Sequence, residues 1–213
     1  MKALKRGMLI SIEGIDGSGK STLIQQLTQK LVDEHFPLVV TKEPGGTLLG
    51  KQLRTLLQER TFTIVPKAEY LLFAADRAQH FEELIIPSLK ANKLIISDRM
   101  ADSSLVYQGF GRGLDLGMMQ TINQWAMDGF KPDLTLYVQI SVETALERLK
   151  QRKQLSVFDK EKETFFAKLV EGFETIFRNR PDVIYLDGQQ TPANITQQAY
   201  AAILTRMTTN NLL

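Results

Sequence analysis

The stretch MLISIEGIDGSGKSTLIQQL, residues 8–27, passes from an apolar run through a glycine-rich turn into a pattern with leucines four apart. Residues 8–12 read as a buried strand, and Leu23, Leu27 and Leu31 read as one stripe of a helix. Between them, Gly14 to Ser21 fits GxxxxGK[ST], a pattern that carries meaning because a strand precedes it and a helix follows. Glycines let backbone N–H groups turn toward an anion without a Cβ in the way, and the helix N-terminus adds its dipole. The run Gly14, Ile15, Asp16, Gly17, Ser18, Gly19, Lys20, Ser21 and Thr22 is therefore expected to hold a nucleoside triphosphate. Lys20 would reach its β- and γ-phosphates, and the Ser21 hydroxyl would ligate Mg²⁺. A turn that merely joins strand to helix is the plain alternative, and the complete motif in this context argues against it.

Outward from that loop, short apolar runs recur at PLVVT (37–41), KLIIS (93–97), DLTLYV (133–138) and DVIYL (182–186). Helical periodicity fills 47–58, 66–90, 116–128, 141–150, 162–178 and 192–207, while Pro44-Gly45-Gly46, Gly109 to Gly113 and Asp187-Gly188 read as loops. Short, nearly continuous apolar strands separated by helices describe a parallel sheet covered on both faces. The expected fold is thus α/β, a P-loop NTPase fold with a five-stranded parallel sheet, as one domain over residues 1–213.

Composition bounds the function. The 213 residues and 43% hydrophobic content suffice for one core, and 26 basic against 24 acidic residues leave a net charge of only +2. No global field favours nucleic acid or a membrane surface, so local patches must carry any anion binding. The absence of cysteine rules out disulfides and thiolate metal sites, and His35 and His80 are too few for a histidine-based one. The opening MKALKRGMLISIEG has a basic start, but its apolar run ends at Glu13, short of the ~7–15 residues of a signal core. With no stretch near the ~20 apolar residues of a membrane span, the expected location is cytoplasmic.

A second anchor is KLIISDR (93–99): Asp98 ends an apolar strand, and carboxyl ends of strands are where ligands collect in open α/β sheets. A carboxylate there suits Mg²⁺, directly or through water, and Arg99 beside it suits a bidentate phosphate clamp. Taken alone, the pair is equally a helix cap with a solvated neighbour. A third feature is ERLKQRK (147–153), where four of six residues from Arg148 onward are basic. In isolation it reads as a solvated helix end, whereas beside a phosphate-transfer site it can supply an arginine to the transferred group.

With these pieces in place, the chain resembles thymidylate kinases. The blocks that carry the resemblance are IEGIDGSGKST (12–22), TKEPGGT (41–47), LLFAADRAQH (71–80), ISDR (96–99), SSLVYQGFGRG (103–113) and PDLTLYV (132–138). The resemblance implies transfer of the γ-phosphate of ATP to dTMP to give dTDP, in a homodimer. It implies that Asp16 contacts the sugar 3′-hydroxyl and acceptor-phosphate surroundings, that Phe73 stacks on thymine and that Arg77 binds a base carbonyl. Ser104 and Gln108 match positions on the base edge, and Tyr107 matches the ring that crowds out a ribose 2′-hydroxyl. Arg99 and Arg54 match acceptor-phosphate contacts, with Glu43 and Pro44 shaping the same pocket. Four residues apart on a helix, Phe73 and Arg77 share a face, so one can stack while the other reads an edge.

The chain departs from the family pattern at Lys42, where arginine is common, at Met100, where Tyr or His is common, and at Ser156-Val157, where Asp-Arg is common. The phosphate loop has no extra cation beyond Lys20, so the bacterial-type arrangement is expected, with a basic lid at about 148–160, Arg152 as the transition-state arginine and Arg148 in support. Competing readings are a kinase for another nucleoside monophosphate or deoxynucleoside, and an ATP-dependent switch or binding protein. The switch reading leaves Phe73, Arg77 and Gln108 without a purpose.

Overall fold

The computed structural model describes residues 3–58, 62–151, 158 and 161–212. Among these, strands β1 (Met8–Glu13), β2 (Leu38–Lys42), β3 (Leu94–Asp98), β4 (Leu134–Gln139) and β5 (Val183–Asp187) form one parallel sheet in the order β2-β3-β1-β4-β5. Each expected run lies within one residue of its strand. Central β1 is buried at every position and pairs on both sides, Ile10 facing Ile96 of β3 and Leu134 of β4.

Strand alternation sends Met8, Ile10 and Ile12 to one face, where they pack with Leu23, Leu27 and Leu31 of α1 (Lys20–Asp33) and with Ala199 and Ile203 of α9 (Pro192–Thr209). Removing a side chain as fully enclosed as Leu27 costs about 2–5 kcal/mol in comparable cores. Opposite, Leu9 and Ile95 meet Phe81, Ile85 and Met127. The inner side there also buries Ser11, Glu13 and Ser97, polar groups on strands that would otherwise read as core.

Around the sheet run α2 (Leu48–Gln58), α3 (Pro66–His80), α4 (Ile86–Lys90), α5 (Ala101–Ser104), α6 (Leu116–Ala126), α7 (Val142–Lys150) and α8 (Glu163–Phe177). Side-chain caps start three of the helices: Asp115 accepts from the Met118 N–H, Ser141 from Thr144 and Thr191 from Asn194. Helices α3 and α4 are joined by a π-helical turn, Phe81–Ile85, so the periodicity over 66–90 corresponds to one continuous helical run. A second π-helical stretch, Leu105–Gly111, continues α5.

That stretch corrects the sequence reading of Gly109 to Gly113 as a loop. Residues through Gly111 are helical, and the chain turns only at Gly113, where φ is +77°. Gly111 is there for packing: a Cβ on it would stand 2.6 Å from the Phe165 ring of α8. No periodicity announces 101–111 as helical, because a π-helical register shifts the face by one residue per turn relative to an α-helix.

Candidate active site

The phosphate loop leaves β1 at the carboxyl edge of the sheet. Gly17, at φ +85°, lies so close to α7 that a Cβ would come 2.7 Å from the Ala145 carbonyl, which excludes any other residue without backbone movement. Lys20 folds over the loop and donates to the carbonyls of Gly14 (3.0 Å) and Ile15 (2.9 Å). Burial, with the Arg99 charge nearby, holds its ammonium down at about 8. Ile15 packs into the core with Tyr137 and Ala145, and Ser18 is buried, so their side chains do not face the cleft. Asp16, Gly17, Gly19, Lys20, Ser21 and Thr22 do, and Gly14 takes part through its carbonyl.

The cleft encloses about 350 Å³ and runs from the loop to α3 and the second π-helical stretch. At its centre stands Arg99, the residue after β3, with the left-handed φ of +68°. One arm donates to the Gly14 carbonyl (2.8 Å) and to Ser103 Oγ (3.0 Å); the other donates to Asp16 Oδ1 (2.7 Å) and the Tyr107 hydroxyl (3.0 Å). Tyr107 in turn donates to Asp16 Oδ2 at 2.8 Å. Burial pushes the Asp16 carboxyl up, but the Arg99 and Lys20 charges and the bond from Tyr107 outweigh it and hold the group at about 2. The loop acid thus stays ionised.

The far end is built on Arg77, whose side chain is 1% exposed. Its Nε donates to Glu43 Oε2 (2.9 Å), Nη1 to Asn123 Oδ1 (2.7 Å) and Nη2 to Ser104 Oγ (3.0 Å). Although burial opposes it, Arg77 and the bond to His80 hold Glu43 below the usual carboxylate range. His80 bridges Glu43 (3.1 Å) and Thr41 (2.7 Å). Gln108 is buried beside Arg77's chamber and donates to Glu69 at 3.0 Å. Phe73 lines the chamber half-buried, its ring 6.3 Å from Phe158, which stands 5.9 Å from Tyr107.

On the rim, Arg54 donates to the Pro44 carbonyl at 3.0 Å, and both residues line the cleft. Arg148 donates to the Gly17 carbonyl (3.3 Å) and the Gly188 carbonyl (2.9 Å), bracing the loop against the turn after β5. Asp98 faces the cleft with Oδ1 buried and without a hydrogen-bond partner, and Ser21 lines the same space. Two hard oxygen donors, one of them unsatisfied, fit Mg²⁺. Among the described residues no cluster of three or more His, Cys, Asp or Glu forms another metal site. Arg152 and Ser156-Val157 lie outside the described residues.

The structure thus brings together Asp16, Lys20, Ser21, Arg99, Tyr107 and Asp98 at one end, and Glu43, Phe73, Arg77, Ser104 and Gln108 at the other. Sequence reasoning missed Asn123, Ser103, Glu13 and Phe158. Asn123 offered one signal, a polar residue on the apolar stripe of Met119 and Ala126 in α6. Glu13 offered another, a carboxylate at the end of a central strand whose other residues, Ser11 apart, are apolar.

A phosphate loop at the carboxyl edge of a parallel sheet, facing a chamber lined by side chains, defines a P-loop enzyme with room for a small acceptor. Residues 12–199 match the sequence profile of the family described as thymidylate kinase. The thymidylate kinase of Halothermothrix orenii is 41% identical over 198 residues, 92% of this chain and 95% of that protein. That of Carboxydothermus hydrogenoformans is 42% identical over 190 residues, 89% of this chain and 93% of that protein. The crystal structure of thymidylate kinase from Ehrlichia chaffeensis superposes with a TM-score of 0.76 at 29% identity, covering 93% of this chain and 99% of that one. The chain belongs to the thymidylate kinase family.

Proposed function

We infer that the chain transfers the γ-phosphate of ATP to dTMP, giving dTDP. One observation carries this reading: the cleft has two chemically different ends, backbone amides with Lys20 at one and the Arg77, Phe73 and Gln108 chamber at the other, with Arg99 between them. The triphosphate lies on Gly14 to Thr22, and the acceptor base lies against Phe73, its edge toward Arg77, Ser104 and Gln108. Tyr107, fixed between Asp16 and Arg99, closes the space beside the sugar. A chamber of paired polar groups discriminates sharply, because a wrong base leaves buried donors unsatisfied.

Transfer is in line. An acceptor-phosphate oxygen bonds to the γ-phosphorus while the bond to the β,γ-bridging oxygen breaks, so ADP leaves and no protein nucleophile is required. Arg99 binds the acceptor phosphate, supported by Arg54, and Lys20 neutralises charge on the donor phosphates. Ser21 and Asp98 would hold Mg²⁺, which would supply neutralisation of charge on the donor phosphates. Arg148 steadies the loop from α7, and Arg152, in a lid at about 148–160, supplies the transition-state cation.

The whole chain acts as a single kinase domain, in the cytoplasm and without nucleic acid. We place a homodimer contact on α2, α3 and α6, where Leu48 is 76% and Trp125 82% exposed and Leu71 and Met118 are exposed as well. No helix among the described residues is long and apolar enough to cross a membrane. The deciding experiment is a coupled ADP-release assay with Mg-ATP against a panel of monophosphates and thymidine. A strong preference for dTMP is expected; equal rates with dCMP, or thymidine preferred over dTMP, would overturn the reading.

A further inference from the structure

Glu13 ends β1 fully buried and does not line the cleft. A carboxylate in such a place persists only if its oxygens are well bonded. Oε1 accepts from Ser11 Oγ (2.6 Å) and from the Met100 N–H (2.8 Å), and Oε2 accepts from Ser103 Oγ (2.5 Å). The same Ser103 oxygen accepts from Arg99 Nη1 at 3.0 Å. Burial and the Asp102 charge push the Glu13 carboxyl up to about 7. In its ionised form the direction of this chain is forced, since a guanidinium only donates and a carboxylate only accepts. Ser103 must therefore give its proton to Glu13 and its lone pair to Arg99.

A second link runs through the backbone. Arg99 sits at φ +68°, a conformation that residues with a Cβ rarely adopt. Its corner is held by Arg99 N–H to the Ile12 carbonyl (3.0 Å), by Ser97 Oγ to the Arg99 carbonyl (2.8 Å) and by Glu13 on the next N–H, that of Met100. Two of these three holds come from the end of β1. The corner is what sends the guanidinium back across β1 to Gly14, Asp16 and Tyr107.

We propose that Glu13 is a positioning residue for phosphoryl transfer, fixing Arg99 toward the acceptor phosphate through the Ser103 hydroxyl and the Met100 N–H. The inference rests on the reading of Arg99 as the acceptor-phosphate ligand. A carboxylate with a purely architectural role would change stability and leave the steady-state constants of the folded enzyme alone. A positioning role moves the constants for dTMP and spares those for ATP.

The test is steady-state kinetics of the full chain carrying Glu13→Gln, Ser103→Ala, Arg99→Ala and the double substitution Ser103→Ala/Arg99→Ala. Glu13→Gln turns one accepting oxygen into a donor and is expected to lower kcat/KM for dTMP by about tenfold to a hundredfold. Ser103→Ala is expected to lower it by about tenfold, with KM for ATP within about threefold in both. In the Arg99→Ala background, adding Ser103→Ala should change kcat/KM by less than about threefold, because the group it positions is gone. Should Glu13→Gln fail to fold, Ser103→Ala and the cycle decide alone. If Arg99→Ala weakens dTMP use while Glu13→Gln and Ser103→Ala leave it intact, or if Ser103→Ala acts equally in both backgrounds, the positioning role is refuted. If Arg99→Ala itself leaves dTMP kinetics unchanged, the reading of Arg99 falls, and the positioning role with it.

Discussion

Arg77→Lys tests the acceptor chamber most directly. The arginine donates to Glu43, Asn123 and Ser104 from three different nitrogens, at 2.9, 2.7 and 3.0 Å. A lysine keeps the charge but concentrates its donors on one nitrogen with no planar fork, so it can hold Glu43 and must release the other two. Bonds of a charged donor to buried neutral acceptors contribute about 1.5–3 kcal/mol each, and partial relaxation leaves an expected stability loss of about 3 kcal/mol. For a chain of this size that lowers Tm by about 6–12 °C, at roughly 2–4 °C per kcal/mol. The base edge loses a planar partner far from the transferred group, so the effect on catalysis falls on KM for dTMP, about tenfold to a hundredfold, with kcat within about threefold. Coupled ADP release across dTMP concentrations, with thermal melts of the same preparations, reads both. A KM for dTMP within twofold of the parent, or a loss confined to kcat, would refute the placement of the base against Arg77.

Gly17→Ala forces a Cβ to 2.7 Å from the Ala145 carbonyl at a φ of +85°, so the loop must shift; KM for ATP is expected to rise at least tenfold, measured at saturating dTMP, with a stability loss of about 1–3 kcal/mol in the melt. Arg152→Ala is expected to cut kcat by roughly 10³ with both KM values near the parent's, and a loss under tenfold would reject Arg152 as the transition-state cation. For pH, burial and the Glu43 charge push the Asp76 carboxyl up from its ordinary 3.8 to about 6. The folded state then holds more protons than the unfolded one between those values, so this contribution to stability is complete below 3.8 and is lost as pH rises through about 6. Denaturant melts from pH 4 to 8 should show that decline, about 3 kcal/mol at most from a shift of this size, and Asp76→Asn should make it shallower, the Glu13 carboxyl, pushed up to about 7 by burial, supplying a decline of the same sign; an unchanged slope would contradict the assignment.

The phosphate loop and the five strands were legible because each is a local pattern. A strand shows as a run of apolar residues, a loop as glycines at fixed spacing and a helix as a stripe, and all fit within about 20 residues of chain. Asp98 was legible for the same reason, since a strand end marks where it must sit. Gly111 was misread as part of a loop because glycine speaks for a turn only when nothing else requires a missing Cβ, and here Phe165, far along the chain, requires it. The roles of Phe73, Arg77, Ser104 and Gln108 came from resemblance, since nothing in their neighbourhood distinguishes them from ordinary helix residues.

By itself, then, the amino-acid sequence determined the class of fold, the position of the phosphate-loop pattern and the types of residue around it. Tertiary structure decided which side chains hold which. Arg77 finds its partners 34, 46 and 27 positions away, and Ser103 reaches Glu13 across 90, separations at which no repeating pattern survives. The reason is that a buried charge takes whatever partners packing delivers within about 3 Å. Packing is a property of the whole assembled sheet and its helices, and no stretch of chain read alone contains it.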